Sequence, residues 1–255
     1  MLSDPTVITT PLNPALPHQQ FASPARHAIS SMLRRNTETG VRLMPLSQPH
    51  ERAILHTRAI EIAGYQRTDG LYDIEAQLTD TKSYGSTNRD RGYIEAGEPI
   101  HGMWLRLTVD EERTIVACEA ASDFTPYAVC PGAAPNFAAL AGLRIKPGFL
   151  KEAAKRVGGT VGCTHLRELL QQMATTAYQT IDPARARREA AAAGETDQPG
   201  SDRLDVRITA KMGGAPAILN TCIAYSTDSP VVRRRWPQLY TGSAPTPAAA
   251  EDSAG

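Results

Sequence analysis

Cys163 and His165 stand one residue apart in the stretch 158–170, GGTVGCTHLRELL. Glycines stop one segment just before them, and an amphipathic run starts just after. Leu166, Leu169, Leu170, Met173 and Ala177 recur at helical spacing, so the pair is predicted at a helix N-terminus. Unpaired N–H groups and the helix dipole favour a thiolate there, which makes Cys163 a candidate metal ligand or nucleophile. His101 and Cys130 occupy comparable boundaries. His101 opens an extended segment after Gly97-Glu98-Pro99, and Cys130 opens the turn Cys130-Pro131-Gly132. Loops and helix ends can converge ligands that a single strand cannot, and zinc or iron accepts both thiolate and imidazole. The expected metal set is therefore His101, Cys130, Cys163 and His165. With long spacings and no C-x-x-C, the same residues also read as buried apolar thiols and hydrogen-bonded imidazoles.

A second constellation lies in residues 56–82: His56, Arg58, Arg67, Asp69, Asp73 and Glu75, with Asp80 and Lys82 beyond. Paired carboxylates beside arginines can do acid–base work or grip an anionic group. The competing reading is a solvated sheet face carrying cross-strand ion pairs. His56 and Arg58 share strand parity with Ile60 and Ile62, so this face is mixed and expected to be partly buried. Cys118 falls among apolar residues and reads as core, Cys222 as packing, and Trp104 and Trp236 as anchors. The glycines at 158, 159 and 162 do not form GxGxxG, so no nucleotide cofactor is expected. GxSxG and HExxH are absent.

These residues need elements to position them. ILHTRAIEIAGYQR and DIEAQLTD alternate as strands around a turn at Asp69-Gly70. On the second strand Asp73, Glu75, Gln77 and Thr79 face one way and Tyr72, Ile74, Ala76 and Leu78 the other. Residues 82–98 are polar and Gly-rich and read as a loop. HGMWLRLTVD is a third strand with His101, Met103, Leu105, Leu107 and Val109 on one side, and TIVACEAAS a fourth. An antiparallel meander over 53–121 follows. PNFAALAGL, FLKEAAKRV and a continuous segment from Thr164 to about Ala191 read as helical, DVRITAKM as a further strand, and LNTCIAYSTDSPVVRRRWPQLY as irregular or partly extended. Strands followed by helices indicate an α+β fold.

The chain has 255 residues, with 27 Lys and Arg balancing 27 Asp and Glu. That neutrality gives no reason to expect nucleic acid or an anionic membrane as partner. No secretory leader and no apolar span is evident, so a cytoplasmic protein with free thiols is expected. Residues 1–48 read as a loosely ordered arm and 49–240 as a single α+β domain, with a helical tail and polar linker at 184–203. Residues 241–255 read as a disordered tail.

HTRAIEIAGYQRTDGLYDIEAQLTDTK, HGMWLRL, CPGAAPNFAALAGL, GGTVGCTHLRELL and LNTCIAYSTDSPVV together resemble a bacterial domain-of-unknown-function family, numbered 2889, across about Glu51 to Trp236. This resemblance implies no activity. From Gly97 to Thr180 the layout is also similar to the SufE/NifU-like group, which includes iron–sulfur scaffolds. That likeness implies His101 near the first ligand position, Cys130 at the second cysteine and Cys163 at the third. Met103 stands where the acidic ligand would be, and histidine replaces the first cysteine, so a mixed set suits zinc or iron at least as well as a cluster.

The leading expectation is a metal-binding protein, and with it a metal-dependent enzyme. His101, Cys130 and Cys163 would be ligands, and His165 a fourth ligand or general base. Asp73 and Glu75 would assist catalysis, while Arg58, Arg67 and His56 would orient a small polar substrate. The alternatives are an iron–sulfur or metal carrier that meets partner proteins and a metal-free interaction module. A closed ligand set favours carrier or structural metal, and an open position favours catalysis.

Overall fold

The structure is a computed structural model and describes residues 46, 47, 49–194 and 218–243. Most of the expected arm, most of the expected C-terminal tail and the expected strand DVRITAKM lie outside the described residues. From Ala53 onward the described residues belong to one compact unit and are α+β: a four-stranded antiparallel sheet followed by helices. Its strands are β1 (His56–Gln66), β2 (Tyr72–Lys82), β5 (Pro99–Val109) and β6 (Ile115–Phe124), in the order β1-β2-β5-β6. The stretch expected to be a loop after Lys82 instead contains a small separate hairpin, β3 (Ser86–Asn88) paired with β4 (Gly92–Ile94). Gly92, with φ of 80°, and Asn88, whose carboxamide accepts from the N–H groups of Asp90 and Arg91, form its turn. Three-residue strands are too short to show a period in sequence.

The β1–β2 turn forms where Asp69-Gly70 predicts it, with Gly70 at φ of 86° and Asp69 accepting from the Leu71 N–H. β2 alternates strictly between buried and half-buried residues. Tyr72, Ile74, Ala76 and Leu78 meet Met103, Leu105, Leu107 and Val109 of β5 on one face. That face receives the helices and makes the core, while the other stays solvated, as antiparallel sheets allow.

A 3-10 segment, Cys130–Leu140, follows the sheet where helical turns were expected. Pro131 and Pro135 lack the N–H an α-helical ladder needs, which favours short 3-10 turns. Phe137 and Leu140 nevertheless enter the core. Helix α1 (Phe149–Val157) is tethered to this segment by Arg156 Nη1, 2.8 Å from both Ala139 O and Ala141 O.

Helix α2 (Thr164–Ala192) is the long helix the periodicity predicts, and it continues through Pro183. Leu166, Leu169, Leu170, Met173, Ala177 and Ile181 are buried against the sheet. At about 2 kcal/mol for each fully buried large side chain, this stripe fixes the helix on the sheet more firmly than propensity does. The helix comes close at Gly64 on β1, where a Cβ would stand 2.0 Å from Thr180 Oγ1. The segment expected to be irregular carries 3-10 turns at Ile223–Tyr225 and Pro237–Leu239 and a short helix α3 (Pro230–Arg235). Ser229 accepts from the Val232 N–H and Pro230 takes the first helical position, a start signal present in the sequence.

Candidate functional site

Three strands and the first turns of α2 converge on Asp80. Its parity on β2 continues the row Tyr72, Ile74, Ala76, Leu78, so its carboxylate points under the helix and is 0% exposed. Arg58 of β1 pairs with Asp80, and Asp80 pairs with His101 of β5, which lines up three polar residues across the sheet. The β2–β5 register shifts between Asp80 and Thr81, leaving Ile100 as an extra residue beside His101. Bulges of this kind re-aim neighbouring side chains and are over-represented next to active sites.

Both carboxylate oxygens are engaged. Arg58 grips them bidentately, Nε to Oδ1 and Nη2 to Oδ2, each at 2.8 Å. His56 Nε2 lies 3.1 Å from Oδ1, and His101 Nδ1 lies 3.0 Å from Oδ2. From the second residue of α2, His165 brings Nε2 to 3.8 Å from Oδ2, and its ring lies 3.9 Å, centroid to centroid, from that of His101. Arg58 Nη1 also reaches Glu168 Oε2 at 2.6 Å, fastening the helix start to β1. Cys163 precedes the helix with its sulfur 3.9 Å from His165 Nδ1. Its place is set by Gly162, whose Cβ would fall 1.8 Å from Val157 O, and by Asn136, which donates to Val161 O at 2.7 Å.

Charge follows from these contacts. Burial pushes the Asp80 carboxyl up. Hydrogen bonds from Arg58 and His56 and the nearby charges outweigh it and hold the carboxyl down at about 2. Burial and the adjacent His165 push the His101 imidazole below its usual 6.5, against the pull of Asp80. Asp80 is thus an anion and His101 a neutral imidazole with a lone pair at neutral pH, the forms metal ligands require. Two carboxylates, Asp80 and Glu168, share one guanidinium in this cluster, which leaves it attractive to a cation.

Among the described residues, Asp80, His101 and His165 form a group whose ligand atoms all lie within 4.8 Å of one another. Two of its members were expected from the sequence. Asp80 was placed only at the margin of the hairpin's polar residues, although its parity with Leu78 put it on the apolar face. Cys163 adjoins this group through His165 without supplying an atom to it. Cys130, expected as a ligand, supplies none either; it opens the 3-10 segment with its N–H donating to Tyr127 O.

The residues expected around a substrate divide. His56 and Arg58 reach the cluster. Asp73, Glu75 and Arg67 do not, which corrects the expectation that they act with His165. Asp73 is seven residues from Asp80, about 23 Å along a strand, and it and Glu75 have the opposite parity. Glu75 pairs with Arg106 at 2.7 Å, and Asp73 accepts from Thr108 Oγ1 at 2.7 Å and faces Arg67 at 3.5 Å. They are cross-strand partners on the solvated face.

Fold and site together define an α+β domain with a buried carboxylate–imidazole cluster where one helix begins over a sheet. Residues 56–179 match the model of a family described as a protein of unknown function, DUF2889. No curated protein and no solved structure matches the chain. Among the described residues, no helix is long and apolar enough to cross a membrane.

Proposed function

We propose that the protein binds a divalent transition metal, zinc or ferrous iron, through Asp80, His101 and His165, and uses it as a metal-dependent enzyme on a small polar substrate. The observation that carries this reading is the convergence of two imidazoles on Asp80 Oδ2, at 3.0 and 3.8 Å. Ligand atoms that share one metal lie about 3–4 Å apart, given bonds of about 2.0–2.2 Å. A set of two histidines and one carboxylate suits zinc or ferrous iron and leaves positions open for water and substrate, which favours catalysis over a structural role. It also favours a single ion over an iron–sulfur cluster, since neither Cys130 nor Cys163 belongs to the group and clusters are held chiefly by thiolates. Arg58 competes with the metal for Asp80 and keeps Glu168 as its partner when the metal binds. His56 and Arg58 then border the open side, where they can hold a polar substrate.

The test is metal analysis and cobalt(II) titration of the full chain, with His101→Ala and His165→Ala as single variants. Stoichiometric binding in the parent chain and at least tenfold weaker binding in each variant is expected. Equal cobalt affinity in both variants and the parent would sink the proposal.

A second reading has its own observation. Cys163, His165 and Asp80 stand in the order of nucleophile, base and orienting carboxylate, with Sγ 3.9 Å from Nδ1 and Nε2 3.8 Å from Oδ2. Rapid alkylation of Cys163 in metal-free protein, abolished by His165→Ala with no cobalt bound in either form, would favour the thiol over the metal. Cys118, buried and pushed up to about 12, serves as the slow internal reference.

A further inference from the structure

Beyond the cluster, α2 borders a second feature. A cavity of about 790 Å³ lies between Ile145–Lys151, the middle of α2 and residues 218–236. It starts about 9 Å further along the helix than His165, counting from Gln171 at 1.5 Å per residue. Its walls are mostly apolar, and Phe149, Tyr178, Tyr225 and Trp236 all line it. Phe149 and Trp236 are buried, and the Tyr178 hydroxyl is directed away to Ile145 O at 3.1 Å. A pocket of this size and lining fits a small organic molecule with an apolar body.

Charge at the rim selects the polar end of that molecule. Among the described residues, Asp182 is the acidic residue that lines the cavity, and it is already neutralised. Arg113, itself 8% exposed and stacked on Tyr178, holds it at 2.5 Å, and Arg185 lies at 3.7 Å. Lys146 and Lys151 also line the cavity and have no ionic partner among the described residues. Among the described residues, Lys146 and Lys151 therefore leave the rim positive over apolar aromatic walls.

We infer that this cavity binds an amphipathic carboxylate, a molecule with an alkyl or aromatic body and one anionic head, with the body against Phe149, Tyr178 and Trp236 and the head at Lys146 and Lys151. A neutral or cationic molecule of the same length would gain the apolar contact and lose the charge complementarity. This site is independent of the proposed metal cluster.

The experiment is calorimetric titration of the full chain with decanoate below its micellar concentration, with decyltrimethylammonium as the cationic analogue. Saturable one-to-one binding of decanoate and at least tenfold weaker binding of the cation are expected. The doubly substituted Lys146→Ala/Lys151→Ala chain changes two exposed side chains and should bind decanoate at least tenfold more weakly. Thr175→Trp, at an exposed lining position, should block binding by filling the space. His101→Ala should leave decanoate affinity within twofold, which separates this site from the metal proposal. Absence of saturable decanoate binding overturns the inference. So does equal affinity for the two surfactants, or affinity within twofold of the parent in both the lysine and Thr175→Trp variants, each checked for intact fold by circular dichroism.

Discussion

Asp73 and Asp80 belong to the same strand, and each is held by an arginine, yet they do different things. Asp73 lies on the solvated face with Thr108 and Arg67 as partners. Asp80 lies under the first turns of α2, fully buried, with a bidentate Arg58 and the imidazoles of His56, His101 and His165 around it. The difference is one of strand parity and of helix cover. Water screens the first set of charges, so its ion pairs contribute little. Exclusion of water makes the second set strong, costly to disrupt and able to fix protonation states.

The largest test of that contrast is removal of the buried carboxylate. Asp80→Ala leaves a guanidinium and imidazoles without their shared anion, and should destabilise the metal-free protein by about 3 kcal/mol in urea unfolding. A loss no greater than that of Asp73→Ala would erase the distinction between the faces. Acid titration sharpens it. The folded Asp80 carboxyl, at about 2, lies below its unfolded value of 3.8. Its stabilisation is therefore fully present above about pH 4 and disappears as pH falls through about 2, a loss of about 2 kcal/mol. His101 adds a milder slope at higher pH. Its folded value lies below 6.5, so the unfolded chain takes the proton first and stability declines as pH drops below 6.5. Asp80→Asn should flatten the acid limb, as seen by denaturant midpoint against pH.

Gly64→Ala examines the closeness of helix and sheet that creates the buried face. The added methyl would meet Thr180 at 2.0 Å, and overpacking of this kind costs about 1–3 kcal/mol. Thr180→Ala in the same chain should restore most of that loss; an unrestored loss in the double variant would place the strain elsewhere. On the solvated face the effect should be least. Glu75→Gln breaks the exposed pair with Arg106 and should shift stability by no more than about 0.5 kcal/mol. A larger shift would show that this face is covered by something that excludes water.

Much of this arrangement is legible from residue order. The alternation of β2, the Asp69-Gly70 turn and the spacing from Leu166 to Ala177 define two strands and the long helix without reference to any contact. His101 and His165 are likewise nominated by their positions at element boundaries. Asp80 was there to be found, since it extends the row from Tyr72 to Leu78, but a polar residue closing an apolar alternation is easily assigned to the turn that follows. The grouping of Asp73 and Glu75 with Arg58 failed for the converse reason. Similar residue types suggested one site, while period two separates them onto opposite faces. Cys130 and Cys163 were paired because each sits at a boundary, and boundary position carries no information on distance.

What the sequence by itself determined is local: which segments alternate, which turn, where the long helix starts and which residues share a face, because those follow from periods of 2 and 3.6 and from glycine and proline geometry. The tertiary structure alone decided the register that sets Arg58, Asp80 and His101 in one row, the bulge at Ile100, and the seating of α2 that carries His165 and Glu168 onto that row. These depend on side chains from segments up to 110 residues apart packing together. No local pattern encodes such contacts, because the free energy of burying a charge is set by what covers it.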